Sequence, residues 1–255
     1  MTIASRMRSS GAGRIELQQP AVTVRWERTD VDGGPMRIYV GAPDRPGPHP
    51  VVLVAHHGPG LDAQIQDAVH RLHRAGYIAA APELFHRQPA DGDSSKRKSL
   101  LRDDEIVADL RATVAHLKTG MQLGPVGIIG FCMGGRVSYL AAGTMPELAC
   151  AVVFYGGDIM KAQGDGPSPF ERTASIQCPV LGFFGALDTN PSPDDVQRID
   201  AELMRHGKWH EFHTYQDAGH AFQNFLNAER YRERPARASW GAMRAFLDER
   251  LRHAD

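Results

Sequence analysis

Residues 126–136 read VGIIGFCMGGR, and the fold turns on where the strand in this stretch stops. The apolar run 126–131 fits a strand buried on both faces, and it breaks off at Cys132-Met133-Gly134-Gly135. Glycines two positions before Cys132 and two and three positions after it relieve crowding where a strand turns sharply into a helix. A side chain at the tip of such a turn projects out of the fold, so Cys132 is displayed for chemistry.

Working outward, the same alternation repeats on either side. PVVLVAHH is a continuous β-branched strand. Asp62 then reads as an N-cap for a helix whose stripe is Ile65, Val69, Leu72 and Ala75, stopped by Gly76. YIAAAPELF is the next strand, and Val107, Leu110, Val114 and Leu117 mark a helix ending near Gly120. The strands CAVVFYGG, PVLGFFGA and WHEFHTYQ follow, with helices after 133, after 192 and over about 236–252. This βαβα order predicts an α/β fold: a mostly parallel, twisted sheet with helices on both faces. VTVRWE and MRIYVGA, separated by DVDGGP, predict an antiparallel hairpin at its N-terminal edge. Two long Gly/Pro/Ser-rich connections, 86–99 and 156–175, leave carboxyl ends of strands, where ligands bind in such sheets, and are expected to wall the pocket.

The chain has 255 residues and 42% hydrophobic content, enough for one sizeable core: a flexible tail over 1–20 and one domain over 21–255. Lys plus Arg number 29 against 30 for Asp plus Glu, leaving a net charge of -1 and no electrostatic footprint for nucleic acid or an anionic membrane. No signal-peptide core or apolar membrane span is visible, so a cytoplasmic protein is expected. Three widely spaced cysteines fit neither a disulfide framework nor paired zinc ligands. They read as reduced thiols, with Cys150 and Cys178 as small buried hydrophobes heading apolar strands.

A nucleophilic thiol needs a base, and the base an orienting acid. In α/β hydrolases these follow in the order nucleophile, acid, histidine. Asp188, in the turn after PVLGFFGA, and His220, in the loop DAGHAF after the last strand, supply that order. Asp194 and Asp195 sit in the first turn of a helix, and Asp217 shapes the turn before His220, so they are weaker rivals. His206, His210 and His213 do not make a convergent metal site, because 210 and 213 point to opposite faces of a strand. Phe131, Tyr155, Trp209 and Phe222 are candidates for either pocket wall or core.

With GFCMGGR, the GALD turn, DAGHAF and AGYIAAAPELFHRQ in place, the chain from about residue 24 onward resembles the dienelactone hydrolase family of α/β hydrolases. The resemblance implies a Cys132, His220, Asp188 triad that opens a lactone or small ester through a thioester, with no metal or organic cofactor. It also implies an oxyanion hole from the backbone N–H groups of Met133 and Gly58. Two positions depart from the family pattern. His57 stands where family members acting on dienelactone carry a glutamate near the nucleophile. Of the two arginines that bind a substrate carboxylate, only Arg87 has a counterpart, and Asn224 occupies the other position. His57, Arg87 and Phe222 are therefore the expected substrate-binding residues. The partner is a small lactone or ester, and monomer or homodimer stays open. The alternatives are a general carboxylesterase or thioesterase for uncharged acyl groups and, in another class, a non-catalytic ligand-binding or thiol-sensing protein.

Overall fold

The structure, a computed structural model, describes residues 24–89 and 93–252. The expected tail over 1–20 and the first two residues of VTVRWE lie outside them. Strands β1 (Val24–Val31) and β2 (Gly34–Gly41) form the expected antiparallel hairpin. Its turn is shorter than DVDGGP implied, because both strands run on until only Asp32 and Gly33 remain, at φ 51 and 78. A two-residue turn with both central residues left-handed matches the twist of the flanking strands, and Asp-Gly supplies that geometry readily.

The remaining elements are β3 (His49–Ala55), α1 (Ala63–Arg74), β4 (Ile78–Pro82), α2 (Ser94–Ser99), α3 (Asp103–Gly120), β5 (Leu123–Phe131), α4 (Met133–Thr144), β6 (Cys150–Phe154), β7 (Val180–Gly185), α5 (Pro193–Arg205), β8 (His210–Tyr215) and α6 (Glu233–Arg252). The sheet order is β1-β2-β4-β3-β5-β6-β7-β8. β2 pairs antiparallel with β4, and every pairing from β4 to β8 is parallel. The long connections hold more structure than their composition implied. The first contains α2 and the second a 3-10 turn over Phe170–Ser175.

Strands β4, β6 and β7 are buried along their whole length because helices cover both faces. On one side Ile65, Val69 and Leu72 of α1 pack with Trp240, Met243 and Leu247 of α6. On the other, Leu110 of α3, Val137 of α4 and Ile199 of α5 close the second core. Asp62 caps α1 as expected, accepting from the Gln64 and Ile65 amides, and Gly76 ends the turn at φ 88. Burying each of Ile65, Val69 and Leu72 contributes about 1.5–3 kcal/mol, which fixes α1 against the sheet. No helix among the described residues is long and apolar enough to cross a membrane. The strand ends that matter all open on one edge: β5 into Cys132, β6 into Tyr155 and Gly156, and β7 into the turn that holds Asp188.

Candidate active site

Cys132 stands between β5 and α4 at φ 56 and ψ -115, a conformation non-glycine residues rarely adopt and one that marks a strained turn. The backbone around it leaves no room for side chains. A Cβ on Gly130 would sit 1.9 Å from the Gly134 carbonyl oxygen, and one on Gly134 would sit 2.0 Å from that of Ala55. Gly135 has the same problem against Phe154 O, at 2.6 Å. The glycines are therefore what allows helix α4 to start directly against the ends of β3, β5 and β6. The Cys132 amide is anchored to Phe154 O at 3.0 Å, which leaves the thiol pointing out of the turn.

His220 Nε2 lies 3.0 Å from Cys132 Sγ, and its Nδ1–H donates to Asp188 Oδ2 at 2.9 Å. A carboxylate can only accept, so this contact fixes the tautomer. The second oxygen, Asp188 Oδ1, accepts the Asn190 amide at 2.9 Å, so the buried acid is held at both ends. Burial works against charge on both members of the thiol–imidazole pair, yet the hydrogen bonds and mutual attraction win. His220 is raised to about 9, by Asp188 and Cys132. The Cys132 thiol is pulled below its ordinary value by His220, the Met133 amide and Lys98. The pair thus favours thiolate and imidazolium. Cys150 and Cys178 go the other way, pushed up by burial, Cys178 to about 11.

This difference predicts selective labelling. Iodoacetamide should alkylate Cys132 in the native protein with a pH midpoint below the ordinary thiol range of about 8.5, while Cys150 and Cys178 stay unmodified. In His220→Ala, burial is left nearly unopposed and the midpoint should move upward. Rates read by peptide mass spectrometry decide it, and a midpoint that stays put means His220 does not hold the thiolate.

The cavity in front of Sγ, about 240 Å³, is lined by Lys98, Cys132, Met133, Gly157, Asp188, Thr189, Asn190, His220 and Arg230. The structure thus brings Cys132, Asp188, His220 and Met133 together. The other four expected residues stand away from this wall. Arg87 is committed elsewhere: Nη1 donates to Asp109 Oδ2 at 2.9 Å and Nη2 to Asp32 Oδ2 at 2.7 Å, tying α3 to the β1–β2 turn beside a separate cavity. His57 is buried with Nε2 2.8 Å from Asp62 Oδ2, the carboxylate that caps α1. Phe222 is fully buried beneath the His220 loop, edge-on to Tyr155 and Tyr215. Gly58 lies in the tight turn closed by Gly60 N–H to His57 O, and it is not among the cavity-lining residues. Of the aromatic candidates, Tyr155 packs edge-on to His220 from inside the core, and Trp209 stacks on Phe246 at the surface. Asp195 closes the capping box of α5 with Ser192, and Asp217 pairs with Arg234. His206, His210 and His213 each face a carboxylate, of Glu202, Asp200 and Glu211.

Sequence reading missed the cations of this cavity. Lys98 Nζ reaches it from α2 and is held by Asp158 Oδ2 at 2.8 Å. Asp158 Oδ1 accepts from Lys161 at 2.7 Å, and against the effect of burial the two ammonium groups draw Asp158 down to about 2. Arg230 comes from the loop after His220. No local pattern marks either residue, because the packing of α2 and of the loop after His220 against distant parts of the chain puts them there.

The chain is similar to known proteins over most of its length. Residues 36–251 match the dienelactone hydrolase family. Relatives named "Putative carboxymethylenebutenolidase" include one from Synechocystis sp., 30% identical over 93% of this chain and 99% of its own, and one from Methylorubrum extorquens, 33% identical over 81% and 74%. A crystal structure described as "Putative Dienelactone Hydrolase", from Klebsiella pneumoniae, superposes with a TM-score of 0.80 at 30% identity, covering 89% of this chain and 99% of the other. The match spans every strand from β3 to β8 and the elbow that mounts Cys132, and on that ground this chain belongs to the dienelactone hydrolase family.

Proposed function

We propose that this hydrolase opens a small lactone or ester through a thioester on Cys132. The reading rests above all on the unbroken contact from Asp188 through His220 to Cys132 Sγ, at 2.9 and 3.0 Å. The thiolate attacks the carbonyl carbon, and the oxygen gains negative charge beside the Met133 amide, with Gly58 as the expected second donor. His220 delivers its proton to the leaving oxygen as the carbon–oxygen bond breaks. It then takes a proton from water, whose oxygen attacks the thioester, and collapse returns the thiolate and releases the acid. Asp188 holds the imidazole in orientation throughout. None of these steps needs a metal or organic cofactor.

Lys98 and Arg230 give this cavity two cationic groups, which favours a substrate bearing a carboxylate. In this reading they take the part that the sequence assigned to Arg87. Arg230→Ala should raise KM for dienelactone about tenfold or more, from the loss of a charge-assisted contact, and leave p-nitrophenyl acetate nearly unchanged. Arg87→Ala should leave the ratio of the two substrates where it was. If Arg87→Ala selectively raises the dienelactone KM, the assignment is reversed.

The test of the function is kcat/KM for dienelactone beside p-nitrophenyl acetate, with mass spectrometry of acid-quenched enzyme to find the acyl group on Cys132. Preference for the uncharged ester selects a general carboxylesterase or thioesterase. No turnover of either, with Cys132 still open to alkylation, selects ligand binding or thiol sensing.

A further inference from the structure

A second cavity, about 300 Å³, abuts the catalytic one and shares Thr189 and Asn190 with it as a common wall. Its lining is mixed: Ile159, Pro191 and Ile199 are buried and, with the half-buried Met160, give it an apolar side. Asp158 and Lys161, paired with each other, and Asp195 line it as well. The wall itself is built. Asn190 Oδ1 accepts the Asp158 amide at 3.1 Å, and its Nδ2 donates to Asp158 Oδ1 at 3.3 Å. A Cβ on Gly157 would lie 2.8 Å from Asn190 Oδ1, so the amide packs flat on bare backbone between the two spaces.

We propose that this second cavity is the subsite for the distal, apolar part of the substrate's acyl group, and that the Asn190 side chain is the threshold that sets acyl length. The inference rests on the hydrolase reading above and adds the direction in which the acyl group runs. The leaving oxygen must lie at His220 Nε2, its proton donor, and the carbonyl oxygen at the Met133 amide. The acyl chain is left facing the wall of Gly157 and Asn190, beyond which the apolar space begins. Size agrees. The catalytic cavity falls below the roughly 300–1,000 Å³ typical of small-molecule sites, and the two spaces joined fall within it.

The experiment is the chain-length profile of p-nitrophenyl esters, acetate to octanoate, for wild type, Asn190→Ala and Met160→Trp, with folding checked by thermal melting. Met160→Trp fills the second cavity away from the triad. It should lower kcat/KM for hexanoate about tenfold or more relative to acetate, in line with the cost of refusing methylenes from an apolar pocket. Asn190→Ala should raise the hexanoate-to-acetate ratio several-fold, and adding Met160→Trp should cancel that gain. Equal effects on short and long esters, or an unchanged profile in both variants, overturn the proposal while leaving the hydrolase reading intact. Calorimetric binding of hexanoate to Cys132→Ala reports the subsite without turnover. Affinity that Met160→Trp abolishes supports it, and no hexanoate binding, or binding that Met160→Trp leaves unchanged, counts against it whatever the ester assays give.

Discussion

Cys132→Ala is expected to lower kcat for ester or lactone hydrolysis by about four to six orders of magnitude, the range over which triad members act as a unit. The thiol sits at the end of a chain of contacts through His220 to Asp188, and Cys132 is the one thiol lining this cavity among the described residues. His220→Ala should cost a similar amount, and the double variant should be no worse than either single one, because removing the nucleophile leaves the base nothing to do. Asp188→Asn is expected to cost about four orders, since an amide in place of Oδ2 favours the wrong imidazole tautomer. The Asn190 amide bond to Oδ1 would remain, so a large loss there reports tautomer and charge more than collapse of the turn. Single-turnover kinetics with each variant decide the matter. Losses that multiply, or a Cys132→Ala enzyme within tenfold of wild type, would place the chemistry elsewhere.

What the sequence disclosed about this site, and what it concealed, follows from the range of the interactions involved. The core strands and α1 and α3 were legible because each is a local pattern: an apolar run, a stripe, a cap or a glycine stop. That Cys132, Asp188 and His220 meet was legible because each lies within a few residues of a strand end, and a sheet brings such ends to one edge without further information. Helix α2 was not, since SSKRKS has no apolar stripe, and its placement comes from Lys98 on Asp158 and Arg97 over the Phe85 ring. Arg87 shows the converse. Its position after β4 was read correctly, but the direction of its side chain is decided by Asp32 and Asp109, from two elements distant in sequence. The same limit hid Arg230 and Asn190, whose places at the cavity depend on which loops face each other across it.

Arg136, the last residue of GFCMGGR, is fully buried, and its partners predict a large stability effect. Nη1 and Nη2 donate to Asp103 Oδ1 and Oδ2 at 2.6 and 3.0 Å, while Nε donates to Asp158 O at 3.1 Å and Nη2 also to Lys161 O at 2.6 Å. One guanidinium therefore joins the first turn of α4, the start of α3 and the loop that carries the Lys98 anchor. Removing it leaves Asp103 buried with an uncompensated charge, and breaking such pairs costs about 3–5 kcal/mol. Arg136→Met should lose that much in urea unfolding, whereas Arg136→Met with Asp103→Leu should recover a good part, because no lone charge is then left in the core. The recovered protein separates two roles. If the salt bridge serves only stability, the double variant regains activity along with its melting temperature. If the two carbonyl contacts also hold Asp158 and Lys161 in place, stability returns while KM for a carboxylated substrate stays raised, because Lys98 has lost its fixed anchor at the cavity wall.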